Sequence, residues 1–221
     1  MSLRAFGFFA LIGYVAVSVA AQSRQAAGTP APMDRDKEIA LALSSCPPSL
    51  ANKAAVYVLD KAGYVKVRES QNDFTAIVQH VAPTSTEPQC MDAEGARAFL
   101  PRMLKVAELR AQGKSGDEIQ AFVADATAKG VFPVPQHPGV IYMLSTQNLQ
   151  RGSNGLSVFP PHLMFYGMHL TNADLGVDGK DLDPDGNPKG PTFVAGDGSP
   201  YALIIVPVGP HGSEASHDKR K

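Results

Sequence analysis

The sequence predicts an α+β fold, with a mainly antiparallel sheet covered by two or three helices. Three observations carry this expectation. Short apolar runs rich in β-formers recur at Ala55–Leu59, Tyr64–Glu69, Phe74–Val81, Val140–Leu144 and Tyr201–Val208, without the regular strand–helix alternation of a parallel sheet. The two strongest helical patterns, Asp92–Gln112 and the stretch after Ser115, follow one another directly. Turn-forming residues such as Asp60-Lys61-Ala62-Gly63 separate the early runs at hairpin length.

Composition agrees with a folded chain. At 221 residues, 44% hydrophobic and 19% charged, the protein has enough apolar side chains for a packed core. Its 20 Lys+Arg stand against 21 Asp+Glu, so it lacks the positive excess that nucleic-acid binding by counterion release requires. No glycine period, heptad run or internal repeat is present, which removes collagen-like, coiled-coil and solenoid architectures.

Residues 1–21, MSLRAFGFFALIGYVAVSVAA, have the three parts of a secretory signal. Arg4 supplies the positive end, an apolar run extends from Ala5 to Val17, and small residues precede Ala20 and Ala21. An uncleaved anchor fits less well, because the run is at the short limit for a span and contains Gly7, Gly13 and Ser18. A secreted or periplasmic location follows, with no membrane attachment after cleavage. Residues 22–32 carry no large apolar side chain and read as a flexible leader. A single globular domain is expected over residues 33–208, followed by a polar C-terminal tail at 209–221. Two cysteines in an exported chain read as one disulfide, Cys46 to Cys90. The closed loop of about 45 residues would be worth roughly 4 kcal/mol in the chain-entropy picture.

Along the domain, Asp34 caps a helix carrying Ile39, Leu41 and Leu43, and Pro47-Pro48 stops it. The runs Ala55–Leu59, Tyr64–Glu69 and Phe74–Val81 then form a three-stranded antiparallel meander with one buried face. Within Asp92–Gln112, Pro101 kinks or divides the helix. Ser115-Gly116-Asp117-Glu118 has capping-box spacing ahead of Ile119, Phe122, Val123 and Ala126, and Gly130 stands where a C-terminal glycine cap belongs. Val131–Gly139 holds three prolines and reads as an extended connector. Val140–Leu144 is a buried strand, Thr146–Pro161 a loop, His162–Leu170 a strand, and Tyr201–Val208 the last buried strand.

Signatures of easily assigned chemistry are missing. There is no G-x-S-x-G elbow, phosphate loop, H-E-x-x-H or C-x-x-C. The densest group of reactive side chains is Pro160–His169. On a strand, His162, Met164, Tyr166 and Met168 share one face. Imidazole and thioether suit copper, although alternate strand positions lie roughly 6.6–7 Å apart. The same segment suits acid–base chemistry: His162 or His169 could exchange protons near neutral pH, with Tyr166 between them and Asp174 to orient a ring. Both rings could equally be bonded to backbone at the strand ends. His80 and His137 are weaker candidates. A cluster of aspartates, Asp174, Asp178, Asp181, Asp183 and Asp185, is the other candidate site. Asp181, Asp183 and Asp185, followed by Gly186, match the first half of a calcium loop. Lys189 and Thr192 fail its second half, so an EF-hand is excluded and a looser calcium loop is what the pattern allows.

The reading these features favour is an exported domain that binds a small ligand or a partner protein without catalysis. The alternative is a small extracytoplasmic, hydrolase-like enzyme using His162 or His169 with Tyr166 and Asp174. No cofactor beyond calcium is implied. Intact-mass measurement of the exported form is expected to show a chain beginning at Ala21 or Gln22; a retained Met1 in a membrane fraction would contradict cleavage.

Overall fold

The sheet is covered on both faces, so the strands Thr75–Gln79 and Glu87–Met91 are buried along nearly their whole length, where the sequence pattern predicts one buried face. The computed structural model describes residues 29–152, 155–177 and 192–208. The signal-like segment, most of the acidic loop and the tail lie outside the described residues. Helix α1 (Arg35–Leu43) is capped by the Asp34 carboxylate, which accepts from the Lys37 amide. A short α2 (Pro48–Ala51) leads into β1 (Ala55–Asp60), β2 (Gly63–Arg68), β3 (Thr75–Gln79) and β4 (Glu87–Met91). Then follow α3 (Ala93–Ala98), α4 (Leu100–Ala111) and α5 (Gly116–Ala128). Strands β5 (Val140–Met143), β6 (Leu149–Gly152), β7 (Gly155–Val158), β8 (His162–Tyr166), β9 (Phe193–Ala195) and β10 (Leu203–Pro207) complete the order. The eight-stranded sheet runs β2-β1-β3-β4-β5-β8-β10-β9, and β6-β7 form a separate hairpin. The fold is therefore α+β with a mostly antiparallel sheet, accompanied by five α-helices among the described residues.

The expected meander does not form. β1 and β2 make the hairpin, but β3 lies on the other side of β1 and runs parallel to it. The polar stretch Ser70–Asp73 is a crossover rather than a hairpin turn. Asn72 explains why: its side-chain amide donates to the Leu50 carbonyl at 3.0 Å, while the Gln71 amide donates to the Lys53 carbonyl at 2.7 Å. Those bonds carry the chain past the start of β1 and leave β2 on the edge, with Val65 and Lys66 exposed. Arg68 closes the same corner by donating to the carbonyls of Ala51 and Ala54.

Two further strands break the sequence pattern. β4 reads Glu-Pro-Gln-Cys-Met, yet it pairs with β3 from Thr75↔Met91 to Gln79↔Glu87. Its pairing with β5 reaches only Cys90 and Met91, so Pro88 sits beyond the second ladder, where a strand tolerates proline. The stretch Thr146–Pro161 contains the β6–β7 hairpin, and β8 ends at Tyr166, short of Leu170.

One face of the sheet packs on α1 through Ala42, Val56, Val58, Ala76 and Val78. The Cys46–Cys90 disulfide joins the end of that helix layer to β4, with Cα atoms 5.1 Å apart. The other face carries Ile77, Met91, Ile141, Met143, Met164 and Ile205 under α3–α5. Pro101 divides the helical stretch, since α3 ends at Ala98 and α4 begins at Leu100 with the proline in its first turn. Asp92 fixes the turn from β4 into α3. Its carboxylate accepts from the Gly95 and Val140 amides, both at 2.8 Å, and from the Tyr166 hydroxyl at 2.6 Å. Tyr166 lies in a slot between Gly95 and Gly139, where a Cβ at either glycine would collide with it. Among the described residues no helix is long and apolar enough to cross a membrane.

Replacing Cys46 and Cys90 together by alanine is expected to lower stability by about 2–4 kcal/mol through the freed unfolded chain, without changing the fold. Urea denaturation checks this, and an unchanged midpoint would mean that the α1 layer holds without its crosslink.

Candidate functional site

The four residues read as a catalytic group do not meet. His162 begins β8 and is 2% exposed, its ring edge-on to Phe159 at 4.7 Å. Tyr166 ends the same strand, about 13 Å further along at strand rise, and its hydroxyl is committed to Asp92. Burial and the adjacent Asp92 carboxylate hold that phenol far above its ordinary range. His169 is exposed in the turn after β8, with positive φ, and its Nδ1 faces the Gly198 carbonyl at 3.3 Å. Asp174 is exposed as well: it accepts from the Thr171 amide and hydroxyl, both at 2.8 Å, and those bonds lower its pKa. It therefore closes a local turn and orients no imidazole. His137 lies exposed in the connector. Asp181, Asp183 and Asp185 fall outside the described residues. Among the described residues no group of three or more His, Cys, Asp or Glu is placed to hold a metal ion.

His162 nevertheless opens onto the main cavity of the molecule. Between the inner sheet face and helices α4 and α5 lies a cleft of about 660 Å³. Its floor is apolar at Ile141, Met143, Met164, Phe193, Leu203 and Ile205, and Met103, Val106, Ile119 and Val123 form the helical wall. The floor exists because alternate residues of β4, β5, β8, β9 and β10 face the same way. The wall exists because Pro101 in the first turn of α4 and the Ser115–Glu118 capping box set where α4 and α5 begin.

Polar groups gather at one end of the cleft. Glu87 and Gln89 share the inner face of β4, and Gln79 stands opposite Glu87 in the β3–β4 ladder. Gln89 is 4% exposed and donates through Nε2 to the Gln79 side-chain oxygen at 2.7 Å. His80 follows β3, buried, with Nδ1 at 3.1 Å from the Ser85 carbonyl and Nε2 at 3.2 Å from Oε1 of fully buried Glu38. A carbonyl only accepts, so Nδ1 carries a proton, and a second proton must lie between Nε2 and Oε1. The Tyr64 hydroxyl donates to the Val78 carbonyl at 2.7 Å, and burial pushes its pKa far up.

His162 and Glu87 are among the side chains in this cleft that keep unused polar atoms. His162 presents Nδ1 to the Pro160 carbonyl at 2.8 Å, which puts the proton on Nδ1 and leaves Nε2 as an acceptor. Burial lowers the pKa of this imidazole, favouring the neutral ring. Among the described residues, the Glu87 carboxyl has no hydrogen bond or ion pair. Burial raises it to about 7, with His80 pulling weakly the other way. Sequence reasoning placed His162 on the right strand but missed Glu87, Gln89 and Gln79. The available signal was the alternation Glu87-x-Gln89-x-Met91, hidden by Pro88.

This geometry defines an α+β protein with one large, mainly apolar cleft and a titratable end. No family model, curated protein or solved structure matches the chain.

Glu87 makes stability depend on pH. Because the folded carboxyl binds its proton more tightly than the unfolded one near 4.5, its contribution is full below about pH 4.5 and is lost as pH rises through about 7. Glu87→Gln is expected to match the wild type in acid and to exceed it at about pH 8 by roughly 1–3 kcal/mol. Thermal melts at both pH values decide this; equal midpoints in alkaline buffer would show that the carboxyl is not desolvated.

Proposed function

We propose that this chain is an extracytoplasmic binding protein that holds a small, largely apolar molecule in the cleft between the inner sheet face and α4–α5. The observation that carries this reading is the cleft itself. A concavity of about 660 Å³ falls within the size range of small-molecule sites, and an apolar floor with a few polar atoms at one end is how such sites combine affinity with orientation. A half-buried aromatic ring beside a buried imidazole, Phe159 edge-on to His162, adds a wall to that floor.

Export is supported by the signal-like N-terminus and by the Cys46–Cys90 crosslink, since disulfides persist in oxidising compartments. Binding is preferred to hydrolysis because His162 stands in the cleft without Tyr166, His169 or Asp174 beside it. A general base acts through a positioned partner or nucleophile, and those residues are committed elsewhere.

The chain has no tryptophan, so a single substitution supplies a clean reporter. In a Phe193→Trp variant, the uncharged fluorophore N-phenylnaphthylamine is expected to bind saturably, one per chain, with energy transfer from the new indole. Transfer that rises linearly with probe, or none at all in the folded protein, would overturn the cleft as a binding site.

A further inference from the structure

We propose that the cleft selects a lipophilic amine, whose ammonium pairs with Glu87 while its hydrocarbon or aromatic body lies across the Met143, Met164 and Phe193 floor. This inference rests on the cleft being a binding site and names the chemical class that site takes.

The argument starts from the polar atoms the fold leaves without partners. Nε2 of His162 is an acceptor, because Nδ1 gives its proton to the Pro160 carbonyl. Gln89 donates through Nε2 to Gln79, leaving its own oxygen, another acceptor, on the inner face of β4. The Glu87 carboxyl lines the cleft with no hydrogen bond or ion pair among the described residues. The Gln79 amide nitrogen is a neutral donor at this end, and the acceptors beside it include a carboxyl able to carry negative charge, which makes the end complementary to a charged donor.

The cations around the cleft do not supply that donor. The Arg110 guanidinium is bound to the carbonyls of His80 and Val81. Arg102 sits over the Tyr201 ring at 5.9 Å, and Lys114 pairs with Glu118 at 2.9 Å. The rings of Phe159, Phe193 and Tyr64 also line the cleft, and aromatic faces favour a cation more than an anion. An anionic ligand beside Glu87 would instead meet that carboxyl and two further acceptors, and would find a cation only at the exposed Arg102.

Pairing requires the ionised carboxylate. The charged and titratable side chains that line the cleft with Glu87 are Tyr64, His80, Arg102, Arg110, Lys114, His162 and Tyr201, and His80 acts electrostatically on its carboxyl. Burial holds Glu87 near 7, so the ammonium-binding form gains population as pH rises from about 6 to 8, while an alkylamine stays charged throughout.

The test uses three ligands with one body and different heads: phenylbutylamine, phenylbutanol and phenylbutyrate. Each competes with N-phenylnaphthylamine, followed by that fluorophore's own emission, in the unsubstituted chain, with and without Glu87→Gln. At about pH 8 the amine is expected to bind at least about tenfold tighter than the other two, and Glu87→Gln is expected to remove that margin. Lowering the pH to about 6 should weaken the amine by up to about tenfold in the parent and leave the glutamine variant unchanged. If the alcohol or acid binds as well as the amine, or if the preference survives Glu87→Gln, the amine assignment is overturned and the cleft remains a binding site. Failure of the fluorophore and of all three ligands to bind overturns both readings.

Discussion

The carboxylate of Asp92 receives the Gly95 amide at the start of α3, the Val140 amide at the start of β5 and the Tyr166 hydroxyl at the end of β8. One side chain thus sets where a helix begins, where a central strand enters the sheet and how far the neighbouring strand extends. Hydrogen bonds to a charged acceptor are stronger than neutral ones, and these converge at a place lined by Gly95 and Gly139, where no side chain competes for the space. Everything over the inner face follows from that point. The height of α4 above the sheet, and with it the depth of the cleft, depends on a helical path that starts at Asp92 and turns again at Phe99–Pro101.

Much of the fold was legible in the sequence wherever a local rule decided the outcome. Asp34 capping α1, Ser115 and Glu118 opening α5, and Pro101 dividing α3 from α4 are contests settled within one helical turn. The Cys46–Cys90 pairing was legible because only two cysteines exist. The parts that were not legible depend on distant partners. Ser70–Asp73 has the composition of a hairpin turn, and only the bond from Asn72 to Leu50 reveals a crossover. β4 is a strand because β3 and β5 flank it, against the preference of its own Glu, Pro and Gln.

The candidate site divides the same way. His162 was found because histidine is conspicuous in an apolar run, and it does reach the cleft. His169 and Asp174 were grouped with it by sequence proximity, but the chain turns away after Tyr166 and each serves its own loop. Glu87 went unseen since a carboxyl before a proline resembles solvent-facing loop. Its placement on the inner face follows from strand register alone, which a single sequence does not display.

The sheet is held unequally on its two sides. Behind it, the disulfide and the buried Glu38–His80 contact lock α1 to β4 and to the end of β3. In front, α5 buries only Ile119 and Ala126, leaves Phe122 exposed and is bounded by Gly113 and Gly130, both with positive φ. Local opening free energy follows buried apolar contact, so amide exchange should be fastest along α5 and slowest along β3 and β4. The back plate keeps the floor of the cleft in register, while the front helix is held by few buried side chains.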